Sequence, residues 1–126
     1  LKQGGYKVAD DGGTRQPEDD FPQFAGKVCH HMLGEKDPAQ TRGILICGSG
    51  QGITMAANRF RGIRAVLAYD QESARSSRND DDSNVLCLPA RTLDYDQVLG
   101  ILHTWLMTPF AGAPRFKRRI QELDEL

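Results

Sequence analysis

Residues 43–58 read Gly-Ile-Leu-Ile-Cys-Gly-Ser-Gly-Gln-Gly-Ile-Thr-Met-Ala-Ala-Asn, and no other stretch limits the fold as tightly. Ile44, Leu45, Ile46 and Cys47 form a continuous apolar run, the pattern of a strand buried on both faces of a parallel sheet. Ile53, Ala56, Ala57 and Phe60 then recur at the spacing of one helix face. The hydrophobic period therefore switches from strand to helix across Gly48, Ser49, Gly50, Gln51 and Gly52. That switch puts Cys47, Ser49 and three glycines at the carboxyl end of a strand. In open α/β sheets this is where ligands meet free backbone N–H groups.

The rest of the chain alternates in the same way. Phe21, Phe24, Ala25, Val28, Cys29, Met32 and Leu33 make one helical stripe, with Asp20 placed to cap it, Pro22 in its first turn and Gly34 at its end. Residues 63–69 and 84–88 read as two more buried strands, the second closed by Pro89. Between them, residues 71–78 suit a short exposed helix and residues 79–82 a loop. Val98, Ile101, Leu102, Trp105 and Leu106 stripe a helix over residues 95–107 with Asp94 as its cap, and Phe116, Ile120 and Leu123 share a face in a last helix over residues 115–126. Strands alternating with helices predict a doubly wound α/β sheet. Leu1 to Gly5 resembles the tail and glycine cap of a helix, and residues 6–9 the strand after it. An upstream strand and helix are therefore expected to be missing from the chain as given. Residues 10–20 are turn-rich and acidic and read as a surface loop.

At 126 residues the length predicts a single domain, 1–126. A formal net charge of −1 supplies no field to recruit nucleic acid or an anionic membrane, and the apolar runs are too short to span a bilayer. Three widely spaced cysteines in apolar sequence argue for reduced thiols and a cytoplasmic setting.

Several residues carry chemistry, each with a plainer alternative. The glycine turn can approach an anion closely or can simply turn, because its spacing is neither that of a P-loop nor a full dinucleotide fingerprint. Cys47 beside a helix start can be a thiolate base or nucleophile, or a small core residue. Cys29 and Cys87 read as core. Arg115 and Arg119, one helical turn apart, and Arg91 after a strand can hold a phosphate or lie on a solvated basic face. His30, His31 and His103 read as surface or half-buried side chains with no metal-ligand spacing. The Asp80, Asp81, Asp82 run reads as a solvated loop.

Taken together, Gly5-Tyr6-Lys7-Val8, Asp20-Phe21-Pro22, the Cys-Gly-Ser-Gly-Gln-Gly turn, Ala56-Ala57-Asn58 and Gly62-Ile63-Arg64-Ala65 resemble the type-B ribose-5-phosphate isomerase and galactose-6-phosphate isomerase group. Ser73-Ala74-Arg75, Asn84-Val85-Leu86, Ala90-Arg91 and the closing Arg115 and Arg119 extend the resemblance over essentially the whole chain. It implies a Rossmann-like three-layer α/β/α fold, a homodimer or homotetramer with active sites between subunits, and no cofactor or metal. The implied reaction interconverts a phosphorylated aldose and ketose through a cis-enediolate. Cys47 matches the base that moves the proton between C2 and C1, and Ser49 a hydroxyl assisting at a sugar oxygen. The backbone of Gly48, Gly50, Gln51 and Gly52 would hold the enediolate. Arg91, Arg115 and Arg119 match phosphate ligands, some contributed by a neighbouring subunit. Members that use a Glu base carry it where this chain has Ile53.

Two positions depart from the family. Its opening strand, which ends in an Asp-His pair contacting sugar and phosphate, has no counterpart in the chain as given. Where ribose-type members place a His that opens the furanose ring, this chain has Asp80, whose pKa and reach differ from those of imidazole. The sugar therefore stays open among pentose and hexose phosphates. Two other readings stand beside the enzyme: a catalytically weak phosphosugar-binding or partner subunit of a heteromeric isomerase, and a thiol phosphatase or transferase, against which the missing Cys-x5-Arg spacing counts.

Overall fold

The computed structural model describes residues 1–14 and 16–126 of the chain. Three parallel strands, β1 (Gly43–Cys47), β2 (Ala65–Leu67) and β3 (Val85–Pro89), form a sheet in the order β1-β3-β2. Among the described residues five α-helices surround it: α1 (Phe21–Leu33), α2 (Gln51–Ala57), α3 (Gln71–Asp81), α4 (Tyr95–Met107) and α5 (Pro114–Asp124). The central strand β3 is buried throughout, as a strand covered on both faces must be. Its alternate residues serve two cores. Val85 and Cys87 join Leu45, Ala65, Cys29 and Ile53 beneath α1 and α2, whereas Leu86 and Leu88 join Ala68, Ala74, Ile101 and Trp105 beneath α3 and α4. This is the three-layer α/β/α arrangement, with every strand's carboxyl end on one edge.

Local chemistry explains where the elements stop. Asp94 and Asp70 both close capping boxes, Asp94 with Gln97 and Asp70 with Ser73. Asp20 occupies the first cap position of α1 without a side-chain cap bond. Asn58 ends α2 and pairs twice with Ala65, its Nδ2 donating to the carbonyl and its Oδ1 accepting from the N–H. This ties the end of α2 to the start of β2.

Four expectations are corrected. Residues 6–9 do not form a strand, because an extended segment gains ladder hydrogen bonds only from a neighbour and none of the three strands runs alongside. The strand expected at 63–69 pairs only over Ala65–Leu67, and Tyr69 points to solvent. The helix expected at 71–78 is neither that short nor wholly exposed. It runs to Asp81, so residues 79–81 are helical rather than loop, and it buries Ala74, Ser77 and Arg78. Arg78 is only 4% exposed because Asp82 and the Ser83 and Thr108 carbonyls take up its donors. The last helix begins at Pro114 and ends at Asp124. The acidic loop before α1 contains Arg15, which lies outside the described residues.

Candidate active site

Cys47 is the last residue of β1, half-buried and in register with Pro89 of β3. The two strand ends are stitched together beyond that pair, with Ala90 N–H donating to the Cys47 carbonyl at 2.9 Å and Arg91 N–H to the Gly48 carbonyl at 3.0 Å. The chain then turns through Gly50 in a left-handed conformation, φ 76°, into α2. A Cβ at Gly50 would run into Leu67 Cδ1 and lie 3.5 Å from the Leu88 backbone, so the left-handed torsion calls for glycine and a side chain would also displace Leu67. Ser49 is exposed, and its Oγ accepts the Gln51 N–H at 3.3 Å.

Two neighbours frame the turn. The Arg91 guanidinium lies on Gly48, where an added Cβ would come within 2.8 Å of its Cζ and Nε. The Phe21 ring lies on Gly52, where a Cβ would come within 2.6 Å. Phe21 is 44% exposed, so the residue read as the first of a core stripe is instead an apolar wall at the lip of the turn. The signal for it was its place next to the cap residue, at the helix end that must share an edge with the turn. Thr54 was also missed; its Oγ1 donates to the Gly50 carbonyl at 2.6 Å.

The thiols divide by environment. Burial pushes Cys29 up to about 11, and burial pushes Cys87 to about 11 as well, with Thr54 acting the other way. Both therefore stay protonated as core side chains near neutral pH. All three cysteines are free.

The remaining predicted residues sit elsewhere. Asp80 lies in the last turn of α3, half-buried, with Asn79 Nδ2 donating to its Oδ1 at 2.8 Å. Because α3 runs back against the strands over 11 residues, its end lies about 16 Å along the sheet from the Cys47 edge. Arg119 of α5 is at that same far edge, in a cleft of about 780 Å³ shared with Arg64, Asp81 and Arg59. Burial raises the Asp81 carboxyl, Asp80 adds to that, and Arg119 partly offsets it. Arg115 opens α5 with its guanidinium 4.4 Å from the Phe116 ring centroid. It follows closely on Ala111, whose N–H donates to the Asn79 carbonyl. One chain therefore carries two groups on opposite edges: Cys47, Ser49, the glycine turn and Arg91 on one, Asp80, Arg115 and Arg119 on the other.

Among the described residues no set of three or more His, Cys, Asp or Glu side chains gathers as a metal would require. No helix among them is long and apolar enough to cross a membrane.

Comparison with known proteins agrees with this architecture. The family model described as Ribose/Galactose Isomerase matches residues 1–123. Ribose-5-phosphate isomerase B of Escherichia coli is 35% identical over 126 residues, covering 100% of this chain and 82% of that protein. The crystal structure of a ribose 5-phosphate isomerase from Thermotoga maritima superposes with a TM-score of 0.91 at 39% identity, covering 100% of this chain and 84% of that one. The Mycoplasma genitalium ribose-5-phosphate isomerase B, solved with bound ribulose-5-phosphate, gives a TM-score of 0.91 at 34% identity, over 98% of this chain and 80% of that one. With the parallel sheet, the glycine turn and this similarity in agreement, the chain belongs to the ribose/galactose isomerase family and is an isomerase of the Rossmann-like α/β class.

Proposed function

We propose that this protein interconverts a phosphorylated aldose and its ketose, ribose 5-phosphate and ribulose 5-phosphate first among them, with Cys47 as the base. The observation that carries the reading is the half-buried thiol at the end of β1, beside a turn that passes through Gly50 in the left-handed conformation. The Cys47 thiolate removes the proton from C2 of the open-chain aldose, and the electron pair moves onto O1. N–H groups of the turn from Gly48 to Gly52 hold the resulting cis-enediolate, with the Ser49 hydroxyl at a sugar oxygen. A proton passes from O2 to O1, and Cys47 returns its own proton to C1. The reaction has no net oxidation and calls for no cofactor.

In this reading the phosphate is held by Arg91 together with Arg115 and Arg119 of a partner copy, which also brings its Asp80 to the ring. Two features support an assembled site. The residues expected to cooperate lie on opposite edges of one chain, and α5, although amphipathic, buries none of its residues within it. The Mycoplasma genitalium relative with ribulose-5-phosphate bound supports the substrate class. Three free thiols suit a reducing cytoplasm. Asp80 favours the second reading, a subunit that binds phosphosugar but turns it over poorly.

The test is to incubate the purified protein with ribose 5-phosphate and a set of hexose 6-phosphates, following ketose by NMR. Turnover of at least one sugar is expected, with a loss of about 10²–10⁴ in Cys47→Ser. Binding without turnover would replace the enzyme by the partner-subunit reading.

A further inference from the structure

Thr54 stands one turn into α2, outside the set of residues that meet the sugar. Its Oγ1 donates to the Gly50 carbonyl at 2.6 Å, shorter than the 3.2 Å helical bond that the same carbonyl receives from Thr54 N–H.

The consequence runs through one peptide plane. In a trans peptide the C=O and the following N–H point in opposite directions, so pinning the Gly50 carbonyl toward Thr54 aims Gln51 N–H away from it. That N–H donates to Ser49 Oγ. A hydroxyl that accepts from the backbone keeps its own proton free to be donated outward, toward a sugar oxygen. Gly50 is the residue whose rotation would otherwise break this chain, since a left-handed glycine has more conformational freedom than any side-chain-bearing residue.

We infer that Thr54 is a positioning residue for catalysis, orienting the Ser49 hydroxyl through the Gly50–Gln51 peptide. The inference rests on the isomerase reading of Cys47 and Ser49, and its experiment separates the two. Thr54→Val removes the hydroxyl at nearly constant shape; Thr54→Ser keeps it. The expected result with ribose 5-phosphate is a fall in kcat of about tenfold in Thr54→Val, as for loss of one buried hydrogen bond. KM should stay within about twofold, with wild-type behaviour in Thr54→Ser. In a Ser49→Ala background the same valine substitution should change kcat by less than about twofold, because the group it orients is gone. Amide exchange at Gln51 should be faster in Thr54→Val than in wild type or Thr54→Ser. If wild-type protein turns over no sugar phosphate, the proposed function fails and the exchange measurement alone decides for or against Thr54. Equal Gln51 exchange in all three proteins, or an undiminished valine effect without Ser49, would overturn the inference.

Discussion

Gly50→Ala should destabilise the fold by about 2–5 kcal/mol, and the structure divides that cost into two parts that can be measured separately. The first is torsional: a side chain at φ 76° pays about 1–2 kcal/mol for the left-handed region. The second is spatial. The new Cβ would run into Leu67 Cδ1 at the end of β2, and forcing an extra methyl into such a contact costs about 1–3 kcal/mol. Leu67→Ala removes the second part and leaves the first, because the Leu88 and Pro89 backbone atoms lie at an ordinary 3.5 Å. Urea unfolding of wild type, both single variants and the double variant gives the cycle. In the Leu67→Ala background, Gly50→Ala should cost only about 1–2 kcal/mol. The reasoning is refuted if Gly50→Ala costs less than about 0.5 kcal/mol, or costs the same in both backgrounds.

Two further predictions probe the assembly and the surface. Mixing inactive Cys47→Ala with inactive Arg115→Ala/Arg119→Ala should restore activity to about a quarter of wild type in a dimer, since half the dimers are mixed and each holds one complete site; no restoration would place all three residues in one chain's site. His31 meets Asp11 at Nδ1 and Glu35 at Nε2, both at 3.0 Å, and these carboxylates, Asp11 foremost, raise its pKa. The favourable charge pairing is therefore complete below the ordinary histidine range and is lost as pH rises through the raised value. Asp11→Asn should move the His31 NMR titration midpoint downward and flatten the matching segment of the stability–pH curve.

Much of this was legible in the sequence, for identifiable reasons. The turn could be read because a short continuous apolar run gives way to a 3.6-residue period within a few residues around three glycines, and a strand-to-helix corner satisfies both halves. The buried face of α3 could not, because it is made of Ala74, Ser77 and Arg78, and no hydropathy pattern marks a buried guanidinium whose partners lie in Asp82, Ser83 and Thr108. Residues 6–9 have strand composition, but pairing is a property of neighbours and not of the segment. Helical spacing correctly placed Arg115 and Arg119 on one helix. Which edge of the sheet that helix occupies depends on the crossover topology, and so did the separation of Asp80 from Cys47. Phe21 shows the same limit on a smaller scale: its place in an apolar stripe is real, yet its position at the helix end turns it from core into a wall beside Gly52.

The most direct test of the account uses ribose 5-phosphate carrying deuterium at C2, converted in ordinary water, with C1 of the ketose read by NMR. A single thiol that takes the proton and returns it to the same face should deliver part of the label to C1 and lose the rest to solvent, and Cys47→Ser should abolish both transfer and exchange. Complete retention of the label, as in a direct hydride shift, or exchange that persists in Cys47→Ser, would contradict the assignment of Cys47 as the base.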